Sequence, residues 1–215
     1  MNSSIQAACE LTIFLLTIPM NIVKKNATVV GLYSLQSLAL AILLGINAYQ
    51  EKSVLLGILA LSILVVKVYG ARRLFLGFIR RNRESFSTGT YLNVPLSIAS
   101  VVLLTIFAQS SVFTPLFASA GHDMRFGLLL VASALISLFL AMNRKGILLQ
   151  IIGILSLENS IFAMGHFFDP TQSSGLELGI VFDVLFWMII ASVYVGLVYK
   201  HHKSLDVTNL RELNK

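Results

Sequence analysis

The chain has 215 residues, of which 56% are hydrophobic and 12% are charged. Soluble domains are about 45–50% apolar and about 25% charged, so this chain has too few charged side chains to cover a surface in water. The composition excludes a soluble globular enzyme and a disordered protein. It predicts an all-α polytopic membrane protein that lies in a lipid bilayer.

Seven apolar stretches have the length of about 20 residues that is needed to cross the hydrocarbon core of a membrane, or nearly so. They are Ile5–Val23, Ala27–Tyr49, Val54–Ile79, Leu92–Phe113, Phe126–Met142, Gly146–Phe168 and Leu176–Tyr199. The first is not expected to be a cleavable signal peptide, because it carries Glu10 and its basic residues follow the apolar run. The sequence therefore predicts seven transmembrane helices.

The segments between these stretches alternate in charge. Those after the first, third, fifth and seventh stretches are basic, whereas the opposite segments hold only Lys52 and Arg125, balanced by Glu51 and Asp123. The basic residues are Lys24, Lys25, Arg80, Arg81, Arg83, Arg144, Lys145, Lys200, Lys203, Arg211 and Lys215. The positive-inside rule therefore places the N-terminus outside and the C-terminus in the cytoplasm. The pI near 9.6 is explained by these loops, and no nucleic-acid partner is predicted.

The sequence shows few residues that could support catalysis on this chain. A single cysteine, Cys9, cannot by itself form an internal disulfide, a cysteine-based zinc site or an iron–sulfur cluster. The sequence contains no Walker loop, no G-x-G-x-x-G after a strand and no Ser/His/Asp set on a plausible common face. His201 and His202, beside lysines, are interpreted as a cytoplasmic basic patch. We therefore predict no catalytic, metal or cofactor site on this chain.

An internal repeat is found when the chain is compared with itself at an offset of 122 positions. At this offset Met20-Asn21 falls on Met142-Asn143, Gly31 on Gly153, and Ser34-Leu35-Gln36-Ser37 on Ser156-Leu157-Glu158-Asn159. We interpret the first three helices and the last three as two parallel copies of one module, joined by the fourth helix. The alternative is chance similarity between two stretches rich in Leu and Ile.

The repeat divides the chain into four parts. Residues 1–85 form the first three-helix module, residues 86–118 the connecting helix, residues 119–203 the second module, and residues 204–215 a cytoplasmic tail. In the third stretch Arg72 and Arg73 interrupt the apolar run. Because its counterpart, the seventh stretch, runs to Tyr199, we expect the third to continue past Arg72 toward Ile79.

Three ionisable residues lie at membrane depth, where a charged side chain costs about 2.5–3.5 kcal/mol on insertion scales. Glu158 is near the middle of the sixth stretch, and Lys67 is near the middle of the third. Asp183 lies about two turns inside the outer end of the seventh. Because Lys67 and Asp183 occupy related depths on equivalent helices, we expect that they can pair across the bundle. Gln36 is the neutral counterpart of Glu158 in the repeat.

We interpret these residues as a proton relay in which Glu158 and Asp183 are the protonatable steps and Lys67 is a charge partner. The supporting polar residues are Gln36, Ser156, Asn159 and His166. The alternative is a buried polar cluster that orders the helices or contacts a partner chain. His166 is a weaker candidate, since it lies near the outer end of the sixth stretch, where a histidine is usually solvated. Arg72 and Arg73 are expected to extend toward lipid headgroups.

Several pieces of the sequence carry a family resemblance. In the second half they are N-R-K-G-I-L-L-Q-I-I-G-I-L-S-L-E-N-S at 143–160, F-D-V-L-F at 182–186 and S-L-D-V-T-N-L at 204–210. In the first half they are G-L-Y-S-L-Q-S-L at 31–38 and V-V-K-V at 65–68. In this order they resemble the hydrogenase-4 component E family, the membrane subunits of group-4 NiFe-hydrogenase and formate hydrogenlyase complexes. The resemblance covers nearly the whole chain and is strongest after Arg144.

The resemblance implies a non-catalytic subunit of a redox-linked, proton-translocating complex in the plasma (inner) membrane of a prokaryote. The last three helices also resemble the K subunit of respiratory complex I and its counterpart in cation/proton antiporters, which implies a place beside an antiporter-like subunit. Glu158 matches the first acid of the K-type subunit only after a shift of about one helical turn. Asp183 matches the second acid, with Asp in place of Glu. The alternatives are an assembly subunit without a transfer role and a freestanding transporter.

Overall fold

A computed structural model describes residues 2–82, 89–117 and 124–168 of the chain. Within these ranges the regular structure is helical, apart from one isolated bridge between Thr90 and Arg144. The helices are α1 (Asn2–Ile22), α2 (Asn26–Glu51), α3 (Val54–Ile63), a π-helical segment (Leu64–Ala71), α4 (Arg72–Asn82), α5 (Val94–Ala108), a 3₁₀ turn (Thr114–Phe117), α6 (Met124–Asn143) and α7 (Ile147–Phe168). The predicted all-α class is thus confirmed for this part of the chain.

Among the described residues, five helical segments are long and apolar enough to cross a membrane. They are Ser4–Ile22, Asn26–Glu51, Val54–Arg80, Met124–Asn143 and Ile147–Gly165. They coincide with the first, second, third, fifth and sixth predicted stretches, so the multi-pass membrane character is confirmed. The seventh predicted stretch, Leu176–Tyr199, lies outside the described residues.

The third span runs without a break from α3 through the π-helical segment into α4. Arg72 and Arg73 do not end the helix, because both side chains lie exposed on its surface. A π-helix joins residues i and i+5 and is rare; it occurs mostly as a short insertion in an α-helix, frequently at a functional site. This segment spans eight residues and contains Lys67. An irregular backbone therefore coincides with the buried lysine.

The fourth predicted stretch, Leu92–Phe113, contains a shorter helix than the sequence predicts. Helix α5 has 15 residues, or about 22 Å at 1.5 Å per residue, which is less than the roughly 30 Å of a hydrocarbon core. It begins after Asn93, whose side chain accepts a hydrogen bond of 3.0 Å from the N–H of Leu96. It ends at Gln109, whose N–H donates a hydrogen bond of 3.1 Å to the carbonyl of Ile106. The helix thus ends at the polar sequence Gln-Ser-Ser, inside the stretch that we predicted to span the membrane.

Short connections make neighbouring helices antiparallel. Helix α2 ends at Lys52, which has a φ of 53° and donates its N–H to the carbonyl of Ala48. The next residue, Ser53, begins α3 by accepting a hydrogen bond of 3.3 Å from the N–H of Leu56. Helices α6 and α7 are separated only by residues 144–146. In the packing that results, α6 lies against α1, α5 and α7, whereas α2 lies against α1, α7 and the third span.

Among the described residues the core consists of two apolar clusters, one toward each end of the bundle. The first includes Ile13, Leu40, Ile63, Leu130 and Ala163. The second includes Met20, Val29, Ala71, Leu140 and Ile152. Each cluster takes residues from α1, α2, the third span, α6 and α7, so the same five helical segments pack together at both levels.

Polar residues separate the two clusters at an intermediate depth on each of these five segments. We call them the polar layer: Thr17, Gln36, Ser37, Lys67, Ser137, Ser156, Glu158 and Asn159. All but Glu158 are at most 1% exposed. Because buried polar groups are stable only when they are hydrogen-bonded, the partners within this layer determine how the helices fit together.

Candidate functional site

Lys67 lies at the centre of the third span and inside the polar layer. It is the middle residue of the span Val54–Arg80, and its side chain is fully buried. Its ammonium nitrogen Nζ lies 3.2 Å from Oε2 of Glu158 and donates a hydrogen bond of 2.9 Å to Oδ1 of Asn159. The same nitrogen is 5.1 Å from the centroid of the Phe162 ring. Helix α7 therefore offers the ammonium a carboxylate, an amide oxygen and an aromatic face.

Asn159 extends this contact across two further helices. Its amide nitrogen Nδ2 donates to Oγ of Ser37 at 2.9 Å and to Oε1 of Gln36 at 3.3 Å. Gln36 in turn donates from Nε2 to the backbone carbonyl of Ile13 on α1 at 3.4 Å. One chain of hydrogen bonds thus runs from Lys67 through α7 and α2 to α1. We call Gln36, Ser37, Lys67, Glu158 and Asn159 the Lys67 cluster.

Local sequence explains how α7 contributes so many partners. Residues four apart in an α-helix lie on one face, so Glu158 and Phe162 approach Lys67 from the same side. Asn159 follows Glu158 directly, and its amide supplies both an acceptor and donors. It can therefore accept from the lysine and donate to α2 at once. A residue with only one hydrogen-bonding function could not join three helices in this way.

Two serine pairs hold α6 against α7 beside the cluster. The hydroxyl oxygens of Ser137 and Ser156 are 2.8 Å apart, and those of Ser133 and Ser160 are 2.7 Å apart. All four side chains are fully buried. Small polar residues of this kind let helices approach closely in a membrane and hydrogen-bond across the contact. The serine pairs therefore fix α7, and with it Glu158 and Asn159, relative to α6.

The two charged groups differ in exposure. The Lys67 side chain is 0% exposed, whereas that of Glu158 is 18% exposed. Burying a charged group is costly unless it is paired and hydrogen-bonded, and the carboxylate and the amide oxygen together provide this for the ammonium. A proton can also pass between Nζ and Oε2, since the two atoms are in contact. Glu158 is therefore the more accessible member of the pair.

The structure brings most of the residues predicted from the sequence into one region. Glu158, Lys67, Gln36 and Asn159 belong to the Lys67 cluster, and Ser156 lies next to it through its contact with Ser137. Asp183 lies outside the described residues, as does the side chain of His166. The expected Lys67–Asp183 pairing is therefore not described. What the structure shows for Lys67 is an ion pair with Glu158, whereas the specific pairing expected from the sequence was with Asp183.

Sequence reasoning missed several residues at this depth. Ser37, a member of the cluster, and Phe162, whose ring lies beside the Lys67 ammonium, were not selected as site residues. A second polar group lies toward the other end of α2, where Nε2 of Gln6 donates to Oδ1 of Asn47 at 2.7 Å. Glu10, four residues after Gln6, is only 4% exposed. The spacing of Gln6 and Glu10 on one helical face was the available signal, together with an asparagine inside an apolar run.

Arg144 is also buried, although the sequence marks it only as a basic loop residue. It is 1% exposed, and its Nη2 donates to the backbone carbonyls of Met20 at 2.6 Å and Val23 at 2.8 Å. These carbonyls belong to the C-terminal end of α1, where carbonyl groups lack partners within the helix. Burial lowers the pKa of Arg144 to about 10, so the guanidinium stays charged at neutral pH. Arg144 thus links the α6–α7 connection to the C-terminal end of α1 through hydrogen bonds.

Comparison with known proteins gives no match: no protein-family model, no curated protein and no solved structure matches the chain.

Proposed function

We propose that this chain is a non-catalytic integral subunit of a redox-linked, proton-translocating membrane complex of the hydrogenase-4 type. In this proposal Glu158 and Lys67 form one step of a lateral proton relay, and Asp183 forms another. The observation that carries the proposal is the Lys67–Glu158 ion pair at the centre of the bundle, within 3.2 Å. Ionisable residues inside a membrane are costly to keep and commonly belong to ion or proton pathways.

The partial exposure of Glu158 fits a relay that crosses to a neighbouring subunit. A proton that reaches Glu158 from the neighbouring subunit neutralises the carboxylate and weakens its ion pair with Lys67. In the proposed relay the ammonium then passes its own proton through water to the next acid, Asp183. Asn159, Ser37 and Gln36 hold the ammonium in place through their hydrogen bonds and do not themselves transfer the proton, because a neutral carboxamide is a poor proton carrier. The proposed partner at the exposed edge is an antiporter-like subunit.

The contact between Ser37 and Asn159 supports the proposed pair of parallel repeats. These residues occupy equivalent positions at the offset of 122, and their side chains are hydrogen-bonded at 2.9 Å. Equivalent positions meet in this way when they lie close to a twofold axis. We therefore place a pseudo-twofold axis between α2 and α7, along the membrane normal. The connecting fourth helix and a seventh span complete the proposed architecture.

The proposed orientation draws on the basic loops. Arg144 is bonded to the end of α1, and Lys24 lines the same cavity as Arg144. Basic residues from two connections that are distant in the sequence thus meet at one end of the bundle. By the positive-inside rule, this end faces the cytoplasm. The proposed location is the inner membrane of a prokaryote.

The partners can be tested by extracting the tagged full chain in mild detergent from the cells that make it. The proposal expects a NiFe-hydrogenase large subunit and an antiporter-like subunit to co-purify with it. Proton transfer can then be followed with a pH-sensitive dye in inverted membrane vesicles that contain the complex. We expect Glu158→Gln to lower the rate of proton transfer by at least tenfold, a contribution of about 1.4 kcal/mol to the barrier.

Two further variants separate transfer from assembly. Glu158→Asp keeps an ionisable group and should retain part of the rate, whereas Glu51→Gln removes a carboxylate from an exposed position and should leave the rate unchanged. The double variant Lys67→Met with Glu158→Gln removes both charges without leaving one unpaired. If complexes that contain the double variant transfer protons at the normal rate, the cluster is structural and the chain is an assembly subunit.

A further inference from the structure

A basic cavity lies at the end of the bundle where α1, α5 and the α6–α7 connection meet. It has a volume of about 200 Å³, and the described residues that line it include Asn21, Ile22, Lys24, Gly89, Ser97 and Arg144. Two of these residues are cationic, and none of them is acidic. Since a water molecule takes up about 30 Å³ of liquid, the cavity has room for a phosphate group.

An apolar groove lies next to this cavity along the bundle. It has a volume of about 300 Å³ and lies between α1 and α5, where the described residues that line it include Phe14, Ile18, Ile22, Val101 and Val102. Ile22 lines both the cavity and the groove. From Ile22 to Phe14 the groove follows α1 for about 12 Å at 1.5 Å per residue. The basic cavity and the apolar groove therefore adjoin at Ile22, and the groove leads toward the membrane interior.

We propose that this combined site holds one anionic phospholipid, with its phosphate beside Lys24 and Arg144 and an acyl chain along the groove between α1 and α5. Charge complementarity selects an anionic headgroup, because basic pockets between membrane helices bind the headgroups of such lipids. The lipid joins α5 to α1, two helices that otherwise contact each other only sparsely.

Basic residues from two connections supply the positive charge at the site. Arg144 donates hydrogen bonds to the carbonyls of Met20 and Val23 and lines the cavity beside them. Lys24 is exposed. Its flexible side chain allows the ammonium to approach a phosphate in the cavity. Lys145 follows Arg144, with its ammonium 5.4 Å from the centroid of the Tyr91 ring, and adds to the positive potential beside the cavity. This site does not depend on the proposed proton relay.

The test is the lipid content of the full chain, reconstituted in nanodiscs that contain equal amounts of phosphatidylglycerol and phosphatidylcholine. After transfer to detergent, native mass spectrometry counts the lipids that remain bound. We expect one phosphatidylglycerol per chain on the wild-type protein, retained at least fivefold over phosphatidylcholine. Lys24→Gln should lower this retention about fivefold, the contribution of one basic residue near an anionic membrane surface.

Matched controls separate the site from general charge and surface effects. Lys25→Gln removes the same charge from the neighbouring residue, which does not line the cavity, and should leave retention unchanged. Val102→Trp fills the groove and should abolish retention, whereas Leu103→Trp, at the adjacent position outside the groove, should not. Equal effects of Lys24→Gln and Lys25→Gln would overturn the proposal. So would equal retention of the two lipids, or a photoreactive residue at position 102 that captures a protein helix and no lipid.

Discussion

The ammonium of Lys67 and the carboxylate of Glu158 lie 3.2 Å apart in the middle of the helical bundle. One residue belongs to the π-helical segment of the third span and the other to α7. Their contact therefore joins the two proposed modules, because the third span belongs to the first and α7 to the second. Asn159 strengthens this junction by bonding both to Lys67 and to α2.

The ion pair should show strong coupling between its two members. Glu158→Gln leaves the ammonium of Lys67 without its carboxylate, and Lys67→Met does the reverse, so each single variant should destabilise the protein by about 3–5 kcal/mol. The double variant should cost much less than the sum, because it leaves no unpaired buried charge. The free energy of unfolding in detergent micelles, measured for all four proteins, gives the coupling energy. Additive effects would show that the two side chains do not stabilise each other.

The packing of α7 against α6 depends on the absence of a side chain at Gly153. A Cβ atom there would lie 2.6 Å from the backbone nitrogen of Ala141, which cannot move without shifting α6. We expect Gly153→Ala to destabilise the protein by about 1–3 kcal/mol, as overpacking does.

Gly31, the counterpart of Gly153 in the proposed repeat, provides the control for this substitution. It has no atom within 4 Å of the position that a Cβ would occupy. Gly31→Ala should therefore leave the melting temperature unchanged or raise it, since alanine favours a helix over glycine. Thermal unfolding of the two variants in the same detergent makes the comparison. Equal losses of stability would contradict the close contact between α6 and α7.

Arg144 should stabilise the fold far more than other basic loop residues. Arg144→Met removes the hydrogen bonds to the carbonyls of Met20 and Val23, and bonds to charged groups contribute about 1.5–3 kcal/mol each. Lys145→Gln, at the next position, should cost less than about 0.5 kcal/mol, as is usual for surface substitutions. Chemical unfolding of both variants measures the difference. A loss with Lys145→Gln that matches the loss with Arg144→Met would show that loop charge, and not the capping of α1, is responsible.

The contribution of Arg144 should not change with pH near neutrality. Its pKa is about 10 in the folded protein, against an ordinary value of 12.5. The guanidinium is therefore protonated in both folded and unfolded states from pH 5 to pH 8, and no proton is gained or lost on unfolding. The difference in stability between wild type and Arg144→Met should thus be the same at both ends of this interval. A difference that varies across it would point to another titrating group.

Sequence patterns identified individual site residues better than they identified contacts. Glu158 and Lys67 were selected because they are charged residues in the middle of apolar stretches, a property that a single segment reveals. The partner of Lys67 was expected to be Asp183, on the equivalent helix of the other module. Partner choice depends on which helix faces the lysine, and the depth of a residue along its own helix does not specify that.

The sequence by itself determined the helical class, the membrane environment and five spans, because each depends on hydrophobicity within one continuous segment. It also determined the depth of Lys67, Glu158, Asn159 and Gln36 along their helices. The tertiary structure alone decided that these four side chains share one hydrogen-bonded cluster. It also decided that two of the few charged residues of the chain form an ion pair inside the bundle. It also decided that Arg144 is a buried cap on α1. The reason is that rotation and packing of helices are set by contacts between distant segments, which no local pattern of hydrophobicity encodes.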